Sequence, residues 1–360
     1  MSKTVAIDVR RTQWAPQLGI ARYARCLVSA ILALEPTDID LWTLELEDAP
    51  EVGDKANRTI VGRGHHFLQR WYQEQVAMAR IGKRVDLVHL PWYEGPLRPR
   101  CPLIVNIHDL DTVERPAGYS WRFRGYYNSL LRTYIRIAKR IIVPSEATLS
   151  ALRSRWPNDR YLVIPYGVDP VFEDWDEGEG RLEGARYILY SGGFGLRKRL
   201  DNLLEAFDHI ASSENEVRLV ISGTAPPEVR RTITAMRARD RVDLVGYLTD
   251  RELARLYRSA SAVAYPSVLE GFGFPVVEGF ASNTPVVATR AGSIPEIAGD
   301  ACVLVEPGSP TELAEGLLAV LNDGGLADRL IAAGRERARL YRWSESARRT
   351  LDVYRAALSE

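Results

Sequence analysis

Short apolar runs alternate with amphipathic segments along almost the whole chain, and no other feature narrows the fold as much. Strands separated by helical crossovers return to the same end of a sheet and pair in parallel. In the first half the runs are TVAIDV, DIDLWTLEL, VDLVHLP, LIVNIHDL, RIIVPS and YLVIPYG. After the turn YGVDP the chain becomes acidic and glycine-rich, FEDWDEGEGRLEG, which reads as a linker. The rhythm restarts at RYILYSG and continues through RLVISG, VDLVGYL, AVAYPS, PVVATR and CVLVEP. A chain of 360 residues is long for one core,. The expectation is an α/β protein of two Rossmann-like domains, 1–170 and 171–342, with parallel sheets facing a central cleft. Residues 311–340 read as helical, and an amphipathic helix beginning at Trp343 fills 343–360.

Charge is zero overall but unevenly spread. Residues 1–170 hold 24 Lys+Arg against 18 Asp+Glu, and residues 171–360 hold 23 against 29. A basic first half suits an anionic surface or acceptor. Cys26, Cys101 and Cys302 are widely separated and odd in number, with no CxxC, which argues against disulfides and a zinc site and fits a reducing cytosol,. The chain opens directly on a strand, without an apolar signal core, and no run approaches the ~20 apolar residues of a membrane span,.

The stretch AYPSVLEGFGFPVVEGFASNTPVVATRAGSIPE, 264–296, carries the densest chemistry. A buried strand ends at Pro266, a glycine loop follows, and Pro275 fits the first turn of a helix running to about Ala281,. Glu270 lies in the loop and Glu278 in the helix. Backbone N–H groups at a helix start favour anions, glycines admit a ligand closely, and a carboxylate beside them accepts from hydroxyls. Each glutamate alone is equally compatible with a solvated acid near a helix dipole.

In YSGGFGLRKRLDNLLEAF, 190–207, a strand ends in Gly192–Gly193 before a helix with one apolar face, Leu200, Leu203, Leu204, Phe207 and Ile210. Arg197, Lys198 and Arg199 fall in the first turn of that helix, where the dipole disfavours cations, so a phosphate partner is the natural explanation. Solvation alone suits Arg199. The loop lacks GxGxxG spacing and has no acid at a strand end about 20 residues on, which excludes a dinucleotide site.

In the first half, Gly19 opens a helix carrying Arg22 and Tyr23 after VAIDV. His108, in NIHDL, falls at the C-terminal end of a strand, where open sheets bind ligands, and Asp109 caps the following turn. Residues 115–140 hold seven basic residues, no acid and a series of aromatics. Such a helix either lies on an anionic membrane surface or packs its rings on the sheet and solvates its arginines. Balanced total charge and the lack of a recognisable module argue against nucleic acid.

EGFGFPVVEGFASNTPVV resembles the donor-site signature of retaining glycosyltransferases of the GT-B fold, glycosyltransferase family 4, where two glutamates eight positions apart flank a glycine–phenylalanine loop. The match covers Glu270, Gly271, Phe272, Gly273, Pro275, Glu278 and the PVV strand, with Asn283–Thr284 where many relatives carry glycine. GGFGLRKRL resembles the GGF-x-x-RKN-L form of the family's bacterial mannosyltransferases, with Gly193 where many members have arginine. Gly19, Arg22 and Tyr23 resemble the loop G-I-G-R-Y, with Ala21 replacing its second glycine. The resemblance implies a donor site of Gly192, Gly193, Arg197, Lys198, Glu270, Gly271, Phe272, Gly273, Phe274 and Glu278. In it Glu270 holds sugar hydroxyls, Glu278 the ribose diol, and Lys198 and Arg197 the departing diphosphate. Residues around Ser222–Gly223 and Tyr247–Leu248 fall near the base. Gly19, Arg22, Tyr23 and His108 belong to the acceptor side, and Glu270, Lys198 and His108 surround the reaction centre.

The implied activity is hexosyl transfer with retention, from GDP-mannose or a UDP-sugar to a glycan or polyprenyl-linked acceptor. It needs no protein nucleophile, no metal and no cofactor beyond the nucleotide-sugar donor. The implied location is the cytoplasm or the inner face of the cell membrane. An epimerase of the same fold, a phosphorylase, which would need a cofactor lysine in a longer chain, and a non-catalytic nucleotide-sugar-binding subunit are the rivals. Intact Glu270, Glu278 and Lys198 argue against the last.

Overall fold

The computed structural model describes residues 2–14, 19–47, 56–62, 66–173 and 186–360. The chain divides into two compact units, one of Met1–Gly167 with Arg342–Glu360 and one of Val168–Tyr341. The second unit therefore begins three residues before the turn-based boundary at 171, and Arg342 joins the first.

The first unit is built on seven parallel strands: β1 (Lys3–Asp8), β2 (Ile39–Leu46), β3 (Asn57–Gly62), β4 (Leu87–Leu90), β5 (Leu103–Asn106), β6 (Arg140–Val143) and β7 (Tyr161–Val163). Their order is β3-β2-β1-β4-β5-β6-β7, so the direction of winding reverses between β1 and β4. Every residue of β4 and β5 is buried, which is why these segments read as unbroken apolar runs rather than alternating ones,. The edge strand β3 has no counterpart in the sequence reading. NRTIVG pairs on one side only, with β2, and keeps three residues exposed, so it never forms an apolar run.

The second unit repeats the plan with β8 (Tyr187–Tyr190), β9 (Arg218–Ser222), β10 (Val242–Gly246), β11 (Ala262–Tyr265), β12 (Val286–Thr289) and β13 (Cys302–Val305). The order β10-β9-β8-β11-β12-β13 reverses between β8 and β11. The apolar face foreseen on the helix Leu200–Ser213 is buried against this sheet, with Leu203, Phe207 and Ile210 fully enclosed. Helix starts follow local chemistry: Thr249 and Glu252 form a reciprocal capping box, and Ser309 and Asp323 cap the next two long helices,. Most of the acidic linker lies outside the described residues. Phe172, at its start, belongs instead to the core of the second unit, with its ring edge-on to Tyr257 at 5.4 Å.

The last helix, Trp343–Ser359, belongs to the first unit and packs on the helix Gly19–Ala33. A buried polar chain secures it. Asn106 donates from Nδ2 to the Tyr23 hydroxyl at 2.9 Å, leaving its Oδ1 to accept from His89 Nε2 at 2.6 Å. His89 Nδ1 then accepts from the Tyr354 hydroxyl at 2.7 Å. Burial holds the His89 pKa down at about 4 despite the Asn106 bond, so the neutral ring, with Nδ1 as the acceptor, is the favoured form,. Its contribution is complete above the unfolded value near 6.5 and is lost as the pH falls through 4,.

Gly167 sits against the start of the same helix, where a Cβ would lie 2.2 Å from the Trp343 nitrogen and 2.6 Å from its indole. Gly167→Ala is expected to cost about 1–3 kcal/mol by overpacking. Circular-dichroism melting should show the loss as a lowered midpoint, and an unchanged one would contradict this packing.

Candidate functional site

The loops after β8 and β11 leave neighbouring strands at the reversal point of the second sheet, so the two motifs found in sequence meet there,. After β8 the chain passes Gly192 and Gly193 and makes a single 3-10 turn over Leu196–Lys198. Arg199 follows in a left-handed conformation, and the helix starts only at Leu200. The three cations thus precede the helix rather than occupying its first turn, which corrects the sequence reading. Arg199 turns to Asp201 and Asn202, as a solvated residue would. A backbone bond from Val268 N to the Arg197 carbonyl, at 2.8 Å, ties the two loops together.

Glu270 is not a solvated loop acid: its residue is 6% exposed. Arg197 Nη1 lies 2.7 Å from Oε2, and Lys198 Nζ lies 2.6 Å from Oε1. Burial alone would raise the carboxyl pKa, but the two cations prevail and hold it at about 2,. Lys198 is fixed further by a 2.8 Å bond to the Tyr265 hydroxyl and lies 5.1 Å from that ring's centroid,. The Arg197 guanidinium also donates to the Leu269 carbonyl at 2.9 Å. Two half-buried cations and a buried carboxylate therefore meet at one locus, with the aromatic ring of Tyr265 beside the lysine.

Gly273 caps the helix Phe274–Ala281, with Pro275 in its first turn as expected. Glu278 sits one turn in and is 2% exposed, so it too is no solvated acid. Tyr257 donates to its Oε2 at 2.9 Å, and Ser191 Oγ bonds the same phenol. Phe272 departs from a ligand-facing role: its ring is buried edge-on to Phe274 and Tyr341, at 5.4 and 5.5 Å. Its carbonyl accepts from Ser293 Oγ at 2.9 Å, and Ser293 N donates to the Glu270 carbonyl at 3.0 Å. Tyr257, Tyr265, Ser191 and Ser293 escaped sequence reasoning. Only Ser293 had a visible signal, the AGS step directly after PVVATR.

In the first unit, Gly19 opens its helix as expected and Arg22 is half-buried. Tyr23 is 2% exposed and committed to the chain through Asn106, so its side chain holds the fold rather than a ligand, contrary to the acceptor-side expectation. His108 lies two residues beyond β5 and packs on Tyr23 and Tyr166. Its Nε2 donates to the Pro91 carbonyl, and its Nδ1 accepts from the Tyr166 hydroxyl at 2.6 Å. Burial holds its pKa at about 4, so the ring is neutral with both nitrogens engaged. Asp109 accepts from Asp111 N at 3.1 Å and caps the turn as expected.

Around the reversal between β1 and β4 a buried ion network, invisible in the sequence, gathers. Asp8 binds Arg10 through two bonds of 2.9 and 2.7 Å, while Glu94 binds Arg11 at 2.7 Å and Arg70 at 3.1 Å. Arg70 also reaches Glu74, at 3.6 Å, at the start of the π-helix Gln73–Ala77. Among the described residues no group of three or more His, Cys, Asp or Glu is placed to hold a metal ion.

Two family models match the chain, "Glycosyltransferase Family 4" over residues 19–172 and "Glycosyl transferases group 1" over 171–337. The O-antigen chain mannosyltransferase B of Escherichia coli is 24% identical over 94% of this chain and 96% of its own length. The MMP alpha-(1->4)-mannosyltransferase of Mycolicibacterium hassiacum is 30% identical over 72% of this chain and 66% of its own. A D-inositol 3-phosphate glycosyltransferase of Streptomyces bingchenggensis is 31% identical over 76% and 67%. Sucrose-phosphate synthase of Thermosynechococcus elongatus shares the fold with a TM-score of 0.78 at 18% identity, over 99% of both chains. Anabaena HepE, solved with UDP-glucose, does so with 0.77 at 16% identity, over 98% of this chain and 100% of its own.

Gly292 supports the Glu270 turn from below, with φ of 54° and a would-be Cβ 2.3 Å from the Glu270 carbonyl oxygen. Gly292→Ala is expected to displace that carboxylate at a cost of about 1–3 kcal/mol. Thermal unfolding reads the stability loss, and calorimetry with nucleoside diphosphates reads a weakened site. Wild-type values in both would contradict the assignment.

Proposed function

Since the chain belongs to the group 1 glycosyltransferases, glycosyltransferase family 4, we propose that it transfers a hexose from a nucleotide-sugar donor to a hydroxyl of a glycan or lipid-linked acceptor, with retention of configuration. The observation that carries this reading is Glu270 held between Arg197 and Lys198 at the reversal point of the second sheet. GDP-mannose is the preferred donor, since two of the relatives are mannosyltransferases, and a UDP-sugar is the second choice, given the UDP-glucose complex of HepE.

The chemistry follows from charge. The bond from the anomeric carbon to the diphosphate oxygen breaks, and its electron pair goes to that oxygen. Lys198 and Arg197, already fixed in place, neutralise the growing negative charge without rearranging at the moment of reaction. Glu270, kept ionised by its neighbours, accepts from donor-sugar hydroxyls and faces the positive charge that develops on the ring. Glu278, oriented by Tyr257, accepts from the ribose diol. The acceptor oxygen bonds the anomeric carbon on the same face, and its proton passes to the departing phosphate oxygen, so no protein nucleophile is required. His108, neutral and bonded at both nitrogens, positions the acceptor side rather than moving a proton. Metal is not needed when two cations serve the diphosphate, so chelators should leave turnover unchanged.

Lys198→Ala or Glu270→Ala should abolish transfer in a chain that remains folded by circular dichroism, and full activity in either would overturn the mechanism. A thermal-shift panel of nucleoside diphosphates identifies the donor, because ligand at a hundredfold excess over Kd stabilises by about 2.7 kcal/mol. No shift with either GDP or UDP would defeat the donor assignment.

The helix Trp121–Ile137 bears on where the reaction occurs. Leu131, Tyr134 and Ile135 pack inward, but Trp121 is 72% exposed and Phe123 and Tyr126 are exposed beside Arg122 and Arg124. No helix among the described residues is long and apolar enough to cross a membrane. Outward aromatics interleaved with arginines suit peripheral contact with an anionic lipid surface through 115–140, where a polyprenyl-linked acceptor would reside. Sedimentation with phosphatidylglycerol vesicles should recover the wild-type chain, and Trp121→Ser with Phe123→Ser should leave it in the supernatant. Equal recovery of both forms would argue against the contact.

A further inference from the structure

Two anions have a claim on Arg197 and Lys198. Both cations are ion-paired with Glu270, at 2.7 and 2.6 Å, and both are the groups assigned above to the donor's diphosphate. Their side chains keep 24% and 15% of their surface exposed against 6% for Glu270, so they are open to an anion arriving from solvent. We propose that the Glu270 carboxylate and the donor's diphosphate compete for these two cations, and that Glu270 turns to the sugar only after the diphosphate has displaced it. The inference rests on the transferase reading above and adds an order of events within its donor site.

Charge makes the two anions rivals. Two cations and one carboxylate leave the locus a single positive charge, whereas a diphosphate carries charge on both of its phosphates. If Glu270 stayed in place, its oxygens would crowd those of the phosphates around the same cations, and like charges so close oppose each other strongly. Protonating Glu270 is the costlier way out, because the cations hold its pKa at about 2.

The surroundings suit an exchange. Lys198 has a second bond, to the Tyr265 hydroxyl, and Arg197 has one to the Leu269 carbonyl, so each cation keeps an anchor when the carboxylate leaves. Ser267 Oγ is wholly buried, acts on the same carboxylate, and has no hydrogen-bond partner among the described residues. A displaced carboxylate can accept from this hydroxyl with one oxygen and from a sugar hydroxyl with the other. The diphosphate thus frees the acid that the sugar needs.

Calorimetric titration of the full chain with inorganic pyrophosphate tests the proposal, since this probe reads the cations without sugar, ribose or base. Glu270→Gln keeps the side chain's shape and removes its charge, and should bind pyrophosphate about tenfold more tightly than wild type while losing transfer. Glu270→Asp keeps the charge but is one methylene too short for both contacts, and should tighten pyrophosphate about threefold. Asp201→Asn, which removes an equal charge from the adjacent pair with Arg199, should leave the affinity unchanged. Affinity in Glu270→Gln equal to or below that of wild type overturns the proposal, as does equal tightening in Asp201→Asn. Should Glu270→Gln fail to fold by circular dichroism, an unchanged or weakened affinity in Glu270→Asp overturns it instead. Binding by no form overturns the proposal together with the diphosphate role of Arg197 and Lys198. Binding with wild-type affinity in the Glu270 variants overturns the proposal alone, which keeps the two failures apart.

Discussion

The second domain's site depends on a single carboxylate that could not be buried alone. An ionised glutamate out of water is strongly disfavoured unless opposite charge and hydrogen bonds replace its hydration. Arg197 and Lys198 supply both, and in return Glu270 prevents two adjacent cations from repelling each other in the same enclosed space. Each member is therefore held by the other two, and the loops that carry them are joined by backbone bonds at Arg197, Val268 and Ser293. The result is a charged locus fixed before any ligand meets it, the condition under which positioned charges are most effective.

Both domains place their chemistry by the same topological rule. Where strand order reverses, the connections on either side diverge and leave a gap at the carboxyl ends of the central strands. In the second sheet this gap lies between β8 and β11 and holds Glu270 with its cations. In the first it lies between β1 and β4 and holds Arg11, Glu94 and their partners. The first domain surrounds its gap with paired charges and aromatic rings, the second with glycine loops and cations. One plan thus presents two different surfaces.

The legible part of this molecule was the part written in local order. Unbroken apolar runs marked the buried strands, Pro275 marked a helix start, and the glycine loops marked the turns at the second site. Glu270, Glu278 and Lys198 stood out because glycines and helix starts surround them. What stayed hidden depended on partners distant in sequence. Nothing local marks Tyr265 or Tyr257, and only the fold brings their hydroxyls to Lys198 and Glu278. Tyr23 misled in the opposite direction, since its motif neighbours suggest a ligand while its hydroxyl meets Asn106 inside the domain. The ion network of Asp8, Arg10, Arg11, Arg70, Glu74 and Glu94 was out of reach because its members come from separate segments and none is unusual by itself. The edge strand β3 was missed because a strand paired on one side need not be apolar.

The membership of the last helix in the first domain has a consequence for how the chain is made. The second domain is continuous in sequence, from Val168 to Tyr341, and has its whole core once that segment is available. The first domain cannot close its polar chain from Tyr23 through Asn106 and His89 until Tyr354 arrives. Until then His89 Nδ1 lacks its hydroxyl partner, although Nε2 already meets Asn106, while the second domain has every residue of its core. The first domain, begun first, is thus the last to have all its parts, and a chain cut a few residues short of Tyr354 keeps the whole second domain joined to a first domain without its closing hydroxyl.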